Sequence, residues 1–242
     1  MKVFGTTMVL VLAVMLAGCV SPANLMQVAG SGNPVTVDQD LAGFTKVRAA
    51  TAFEVTIKQG PDYRVVITVD DNIKPYLDVR VDGDTLNISL KPNTVLGVGS
   101  NRLQADVTMP ALEALEVSGA SRADLSGFES KADLSLRASG ASRIQGTITA
   151  GDVTADLSGA SQLGLKGQGG DLKLDASGAS NANLSDFPVG DADVQLSGAS
   201  RAQVNMEGTL DADVSGASGL KYAGEVRLGN VETSGASNVE MQ

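Results

Sequence analysis

The 242-residue sequence contains no histidine and no tryptophan, and only five phenylalanines and three tyrosines. Without histidine, the commonest general base and the commonest metal ligand are both missing. With so few aromatic rings, the core must be filled by Val, Leu, Ile and Ala, which suits thin stacked layers. We therefore expect no cofactor and no metal site, and we predict that the protein is not an enzyme.

Positive charge is also scarce, because 18 Lys and Arg residues face 28 Asp and Glu residues, for a net charge of −10. A protein that binds nucleic acid needs basic surface to displace counterions from the phosphates. The charge balance therefore excludes nucleic acid as a partner.

Cys19 is the only cysteine, so an internal disulfide is ruled out. It lies at the end of an N-terminal segment that has the features of a targeting signal. The apolar run of residues 8–17 is too short to span a bilayer, and it leads into Leu-Ala-Gly-Cys, which resembles the lipobox of bacterial lipoproteins. This predicts a signal peptide over residues 1–18 and lipidation of Cys19 as the membrane anchor. A plain secretory signal with an incidental cysteine is the alternative.

The residues after the cysteine predict the location of the mature protein. Val20 rather than Asp follows Cys19, so retention in the inner membrane is not indicated. We expect a protein of the cell envelope, anchored in the outer membrane and facing the periplasm or the cell surface. Residues 19–34 are predicted to form a flexible tether.

The tetrapeptide Ser-Gly-Ala-Ser occurs seven times, at intervals of 18 to 21 residues. Apolar and polar residues alternate on both sides of each copy, as in Leu115, Glu116 and Val117 before the first. This period of two predicts a short strand on each side of the motif. The copies begin at Ser118, Ser139, Ser158, Ser177, Ser197, Ser215 and Ser234.

A repeat of this length excludes two other architectures. Helical repeats are longer and show a period of 3.6 residues, and a four-stranded propeller blade needs about 40 residues. We predict an all-β fold in which each repeat forms one coil of a parallel β-solenoid. Residues 117–242 are expected to form seven coils, and residues 35–116, rich in alternating strands, an antiparallel layer that caps the first coil.

The motif itself is predicted to be a structural corner, at which glycine accepts backbone angles that other residues resist. If the chain stays extended, Gly119 and Ser121 face inward, and the inward serine hydroxyls are expected to hydrogen-bond from coil to coil. The corner glycines are Gly119, Gly140, Gly159, Gly178, Gly198, Gly216 and Gly235.

The order of these features resembles a known family. A lipobox is followed by a stretch that begins FTKVRAATAFEVTIKQG at Phe44, and then by coils of VSGAS and ASGAS. This is similar to the auto-transporter adhesin head domain family, also called head GIN domain proteins, over residues 35–242. The resemblance implies a right-handed β-helix on a secreted or surface-attached bacterial protein, and it brings no catalytic residues.

These observations favour a non-catalytic envelope protein that uses the solenoid surface for adhesion or assembly, with an unknown protein or glycan as partner. The alternative is a β-helix that binds or cleaves polysaccharide, for which neighbouring carboxylates such as Asp156 and Asp175 are available. A calcium site in residues 167–175 is disfavoured, because the glycine-rich motif that it resembles works in tandem. The last coil, from Ser234, is expected to present a free strand edge for a partner or a second copy.

Overall fold

The computed structural model describes residues 26–97 and 101–242, and these are almost entirely β-structure. Within those ranges, the helical content is one short 3-10 helix, Lys74–Tyr76. The strands form a 10-stranded sheet, an 11-stranded sheet and one short pair. The predicted all-β fold, a stack of parallel coils with an antiparallel part, is confirmed.

The N-terminal part contains nine strands in the described ranges. They are β1 (Met26–Val28), β2 (Pro34–Gln39), β3 (Lys46–Ala49), β4 (Glu54–Gln59), β5 (Arg64–Asp70), β6 (Leu77–Asp82), β7 (Thr85–Leu90), β8 (Thr94–Leu96) and β9 (Leu103–Met109).

Each repeat then contributes one strand before the motif and one strand after it. The strands before the motif join the 10-stranded sheet: β10 (Ala114–Val117), β12 (Leu134–Ala138), β14 (Val153–Leu157), β16 (Leu172–Ala176), β18 (Ala192–Leu196), β20 (Gly208–Val214) and β22 (Val226–Thr233). Those after the motif join the 11-stranded sheet: β11 (Arg122–Glu129), β13 (Arg143–Thr149), β15 (Gln162–Gln168), β17 (Asn181–Val189), β19 (Arg201–Met206), β21 (Gly219–Ala223) and β23 (Asn238–Met241).

The alternation in the sequence becomes two faces of each sheet. Leu174 is fully buried and lies in register with Ala155 and Val194 of the neighbouring coils. Asp175, one residue later, points away from the core and pairs in register with Asp156. Because every coil repeats this register, like side chains stack in rows along the solenoid, as the period of two predicts.

The parallel stack continues past the first motif into the N-terminal part. In the 10-stranded sheet, β3 lies between β10 and β7, and β4 lies between β11 and β9 in the other sheet, all in parallel. The antiparallel pairs are β2 with β5, β5 with β9, and β6 with β7. The stack of parallel strands is therefore continuous across the predicted boundary between residues 35–116 and 117–242.

The aromatic residues support the N-terminal end of this stack. Phe44 and Phe53 are fully buried, and the ring of Phe44 packs against Tyr63 with centroids 4.8 Å apart. Further along, the core consists mainly of rows of Leu, Val, Ile and Ala, with Phe128, Phe187 and Met206 as buried exceptions. The expectation of a thin, aliphatic core matches this arrangement.

The predicted signal peptide and Cys19 lie outside the described residues. The predicted tether is described only from residue 26 onward, and there it is not free chain, because β1 pairs in parallel with β8. No helix in the part of the chain that the structure describes is long and apolar enough to cross a membrane.

Candidate functional site

Each Ser-Gly-Ala-Ser motif forms a tight turn, and in five of the seven copies the hydroxyl of the last serine closes this turn. The hydroxyl of Ser142 donates to the carbonyl of Ser139 at 2.7 Å, and Ser161, Ser180 and Ser200 repeat this bond to the first serine of their own motifs. This satisfies a buried hydroxyl without a partner from another coil. The last serine is buried in six motifs: Ser121, Ser142, Ser161, Ser180, Ser200 and Ser218.

Two expectations about the motif therefore need correction. Because the chain turns here instead of staying extended, Gly119 is exposed and does not face inward. The serine hydroxyls also bond mainly within their own motif, although those of Ser121, Ser218 and Ser237 do bond to the backbone of a neighbouring coil. The coils are joined at this corner by the backbone instead, as where the N–H of Ala179 donates to the carbonyl of Gly159 at 2.7 Å.

The motif glycines occupy a left-handed backbone conformation, with φ between 62° and 76° in all seven copies. In the middle of the stack they are also pressed together. A Cβ atom on Gly178 would lie 2.4 Å from the carbonyl oxygen of Gly159, whereas one on Gly140 would find its nearest neighbour at 3.4 Å. Gly178 is thus required both by its conformation and by the approach of the next coil.

A groove of about 540 Å³ runs beside these corners along the 10-stranded sheet. We call it the serine groove. It is lined by the first serines of five motifs, Ser139, Ser158, Ser177, Ser197 and Ser215, and by the outward row Glu116, Arg137, Asp156, Asp175, Gln195 and Asp213.

Ion pairs neutralise one end of the outward row. Glu116 accepts from Arg48 Nε at 3.0 Å, and Arg137 Nε donates to Asp156 at 2.8 Å. Asp175 lies between Asp156 and Gln195 in register, and no ion pair holds it within the described residues. The acidic side chains at one end of the groove are therefore paired with arginine, and Asp175, further along, is not.

The environment of Asp175 disfavours the charged form of its carboxyl group. Desolvation by the surrounding side chains raises its pKa, Lys173 partly opposes this, and the negative charges of Asp156 and Asp193 add to the increase. A raised pKa means that the folded protein favours the protonated form more than the unfolded chain does. The stability contribution of Asp175 therefore falls as the pH rises through its pKa.

A second corner carries an aspartate ladder that the sequence analysis did not identify. Asp152 accepts the backbone N–H of Asp171 at 2.9 Å, and Asp171 accepts that of Asp191 at 2.8 Å. The ladder requires glycine at position 170, because a Cβ there would lie 2.4 Å from the Asp152 carboxylate and would displace it. The available signal was the Gly-Asp dipeptide that recurs at 151–152, 170–171 and 190–191.

The 11-stranded sheet carries a shallow cavity of about 440 Å³ on its outer face, which we call the polar slot. It forms where Gly164 interrupts the outward row, between Gln145 and Asn183 of the neighbouring coils. Asn183 is held in place, since its Oδ1 accepts from the N–H and the hydroxyl of Ser185 at 3.2 and 2.7 Å. The slot is further lined by Asp124, Thr147, Lys166 and Asp186.

Two of the carboxylates in the segments considered for catalysis or metal binding have structural partners. Asp156 is paired with Arg137, and Asp171, in the segment considered for calcium, holds the backbone of the next coil. Across residues 26–97 and 101–242, no three His, Cys, Asp or Glu side chains stand close enough together to hold a metal ion.

Comparison with known proteins identifies the family to which this chain belongs. A family model described as "Putative auto-transporter adhesin, head GIN domain" matches residues 43–226. The chain belongs to this family. The resemblance seen in the sequence is confirmed, and the matched range contains the serine groove, the aspartate ladder and the polar slot of this head GIN domain.

Solved structures share the fold of the head GIN domain. A putative adhesin from Bacteroides fragilis aligns with a TM-score of 0.83 at 18% identity, covering 89% of this chain and 100% of that one. A putative adhesin from Parabacteroides merdae gives 0.70 at 15% identity, covering 90% and 99%. A putative lipid binding protein from Parabacteroides distasonis gives 0.74 at 15%, covering 89% and 99%. At these identities the likeness shows the fold alone, and no curated protein matches the chain.

Proposed function

We propose that this head GIN domain protein is a lipid-anchored component of the bacterial cell envelope, in the outer membrane, that serves adhesion or assembly without catalysis. The observation that carries the proposal is the serine groove, which presents hydroxyl groups in five successive coils. The coils repeat at about 4.8 Å, so an extended ligand meets the same chemistry again and again along the axis. The description of the family and the names of two structural neighbours, all of which refer to putative adhesins, support the same role.

A binding role also agrees with the state of the acidic residues. General acid–base catalysis needs a side chain that is free to exchange a proton close to the reacting group. Of the neighbouring carboxylates Asp156 and Asp175, the first is engaged by Arg137 at 2.8 Å, and the sequence contains no histidine to act as an alternative base.

The anchor gives the first test. Cys19→Ser should prevent acylation, because the thioether to the lipid can form only on the thiol sulfur. We expect the variant to leave the membrane fraction or to remain unprocessed, while the wild-type protein stays with the membranes. Fractionation followed by mass spectrometry of the N-terminus measures both outcomes. A wild-type protein that carries an unmodified Cys19, or that begins at another residue, would contradict the proposed anchor.

The groove gives the second test. Gln195 is exposed in the serine groove, and Gln162 is exposed on the other sheet, outside both the groove and the slot. Gln195→Arg should obstruct the groove and reduce cell-to-cell aggregation and retention of cells on polystyrene, whereas Gln162→Arg, the same change elsewhere, should not. Cells that lack the protein set the baseline. Equal retention for both variants at the wild-type level would exclude the groove as the adhesive surface.

The polar slot favours polysaccharide binding as a second candidate function. Its amide, carboxylate and ammonium groups offer both donors and acceptors to sugar hydroxyls. A Cβ on Gly164 would have its nearest neighbour at 4.0 Å, and one on Gly219 would have none within 4 Å, so both positions accept a side chain. In the same assay, loss of retention with Gly164→Gln but not with Gly219→Gln or Gln195→Arg would select this candidate over the groove.

A further inference from the structure

The last coil, made of β22 and β23, leaves its apolar side chains uncovered. Leu228 is 54% exposed and Met241 is 63% exposed, and Val231 is only half-buried. The residues in register with Leu228 and Val231 in the preceding coil, Leu210 and Ala212, are buried. A further layer against this end would bury the exposed groups in the same way.

The same coil has backbone groups without a strand to receive them. At the end of β20, the carbonyl of inward-facing Val214 accepts the N–H of Ser234 in the next coil at 3.0 Å. Thr233 holds the corresponding place in β22, whose one neighbour in the described part of the sheet is β20. Core-facing residues such as Val214 direct their backbone groups to the following coil. Leu228 and Val231 also face the core, so their N–H and C=O groups point to the open edge. Such an edge is a template for another strand.

The edge strand at the other end of this sheet is protected from such pairing. β6 carries Asp78, Arg80 and Asp82 at alternating positions, and Asp78 and Arg80 form an ion pair. Charged side chains on an edge strand discourage the approach of a second strand. β22 also carries charged side chains on its outer face, Arg227 and Glu232, but these two have opposite signs and attract each other when a second copy of the strand runs antiparallel.

We propose that two copies of this chain pack end to end through their last coils, with β22 antiparallel to β22 of the second copy. A two-fold axis between Gly229 and Asn230 places Arg227 opposite Glu232 and Leu228 opposite Val231. The strand is therefore complementary to itself, as a two-fold interface requires. Within its own chain Arg227 donates to the Thr209 hydroxyl at 2.6 Å, and Glu232 accepts from the Asn230 amide at 3.2 Å. These are neutral partners, and in the described residues neither charge has an ionic partner that would compete with pairing across the axis.

A bulge keeps these two pairs in phase. Leu228 and Val231 lie in register with Leu210 and Ala212, so Gly229 and Asn230 together face the single residue between those two. Residues five apart in a regular strand point to opposite faces, but the extra residue brings Arg227 and Glu232 to the same outer face. Leu228 and Val231 then both face the core, where the second copy covers them together with Met241 of β23.

Disulfide trapping in the full chain tests the pairing. The backbone N–H and C=O groups of Leu228 and Val231 point to the open edge, so these two residues form a hydrogen-bonded pair across the axis. Pairs of the two kinds alternate, so Arg227 and Glu232 form a non-hydrogen-bonded pair. Their Cα atoms then lie about 4.5 Å apart, within disulfide range. Within one strand, with the bulge between them, the two positions are about 13 Å apart, too far for an internal bridge. We expect Arg227→Cys combined with Glu232→Cys to give a covalent dimer under mild oxidation in intact cells. Each single variant, which also controls for Cys19, should stay monomeric on a non-reducing gel.

Charge reversal provides an independent measurement on the detergent-solubilised full chain. Arg227→Glu should weaken self-association in analytical ultracentrifugation by about tenfold, since two like-charge contacts replace two ion pairs in each dimer. Adding Glu232→Arg should restore the wild-type constant. A double-cysteine variant that stays monomeric, or a single variant that cross-links as well as the double, would overturn the proposed pairing. Neither readout depends on the adhesive role of the groove.

Discussion

Gly178→Ala is expected to destabilise the protein far more than Gly140→Ala, although both glycines occupy the same place in the motif. Their φ angles are 76° and 75°, so the cost of forcing alanine into the left-handed region, about 1–2 kcal/mol, is common to both. Only at position 178 would the new methyl group collide with a backbone oxygen, that of Gly159, at 2.4 Å. Overpacking against backbone adds typically about 1–3 kcal/mol.

The measurement is the thermal and urea midpoint of each variant beside the wild type. Gly140→Ala is the matched control, because its methyl group would have its nearest neighbour at 3.4 Å, an ordinary contact distance. The N–H of Ala179 also bonds to the Gly159 carbonyl at 2.7 Å, so a displaced coil loses this bond as well. Equal losses for the two variants would mean that backbone conformation alone, and not the approach of the coils, requires glycine in the motif.

Leu174→Asp should be the most damaging single change in the solenoid coils, and Asp175→Leu, at the next position, should be nearly harmless. Leu174 is fully buried between Ala155 and Val194, so the substitution places a carboxylate without a partner in the core, at a cost of several kcal/mol. Asp175 faces outward, and because burial already raises its pKa, the loss of its charge removes an unfavourable desolvation.

Thermal unfolding at pH 7 and at about pH 4 distinguishes the mechanisms. An aspartate at position 174 should have a strongly raised pKa, so the variant should regain part of its stability as the pH falls and the carboxyl group becomes protonated. Asp175→Leu should show no such recovery. Similar losses for the two variants at pH 7 would be inconsistent with the inward and outward assignment of this strand.

The N-terminal part shows where sequence reasoning is insufficient. The alternation in the segments around Val55 and Val65 identifies both as strands, but it does not state their partners. In the structure β4 stacks in parallel between β9 and β11, while β5 runs antiparallel to β9 and β2. A strand with one buried face can satisfy its backbone against either kind of neighbour, so the choice depends on residues far away in the chain.

The two corners show the same limit at close range. The serine corner was evident because four identical residues recur, yet the bond of the Ser142 hydroxyl depends on a turn that an extended chain does not make. The aspartate ladder is harder to predict, because the recurring Gly-Asp dipeptide indicates a repeated position but not what the carboxylate binds. Asp171 acquires its role only when the next coil brings the N–H of Asp191 to its carboxylate.

The sequence by itself determined the repeat, the two strands of each coil and the residues that face the core, because these follow from a local period of two repeated seven times. Only the tertiary structure decided the order of the N-terminal strands, the contact between Gly178 and Gly159, and the bulge in the last coil. These features depend on which coil lies beside which, and a stack is defined by contacts between residues that are distant in sequence.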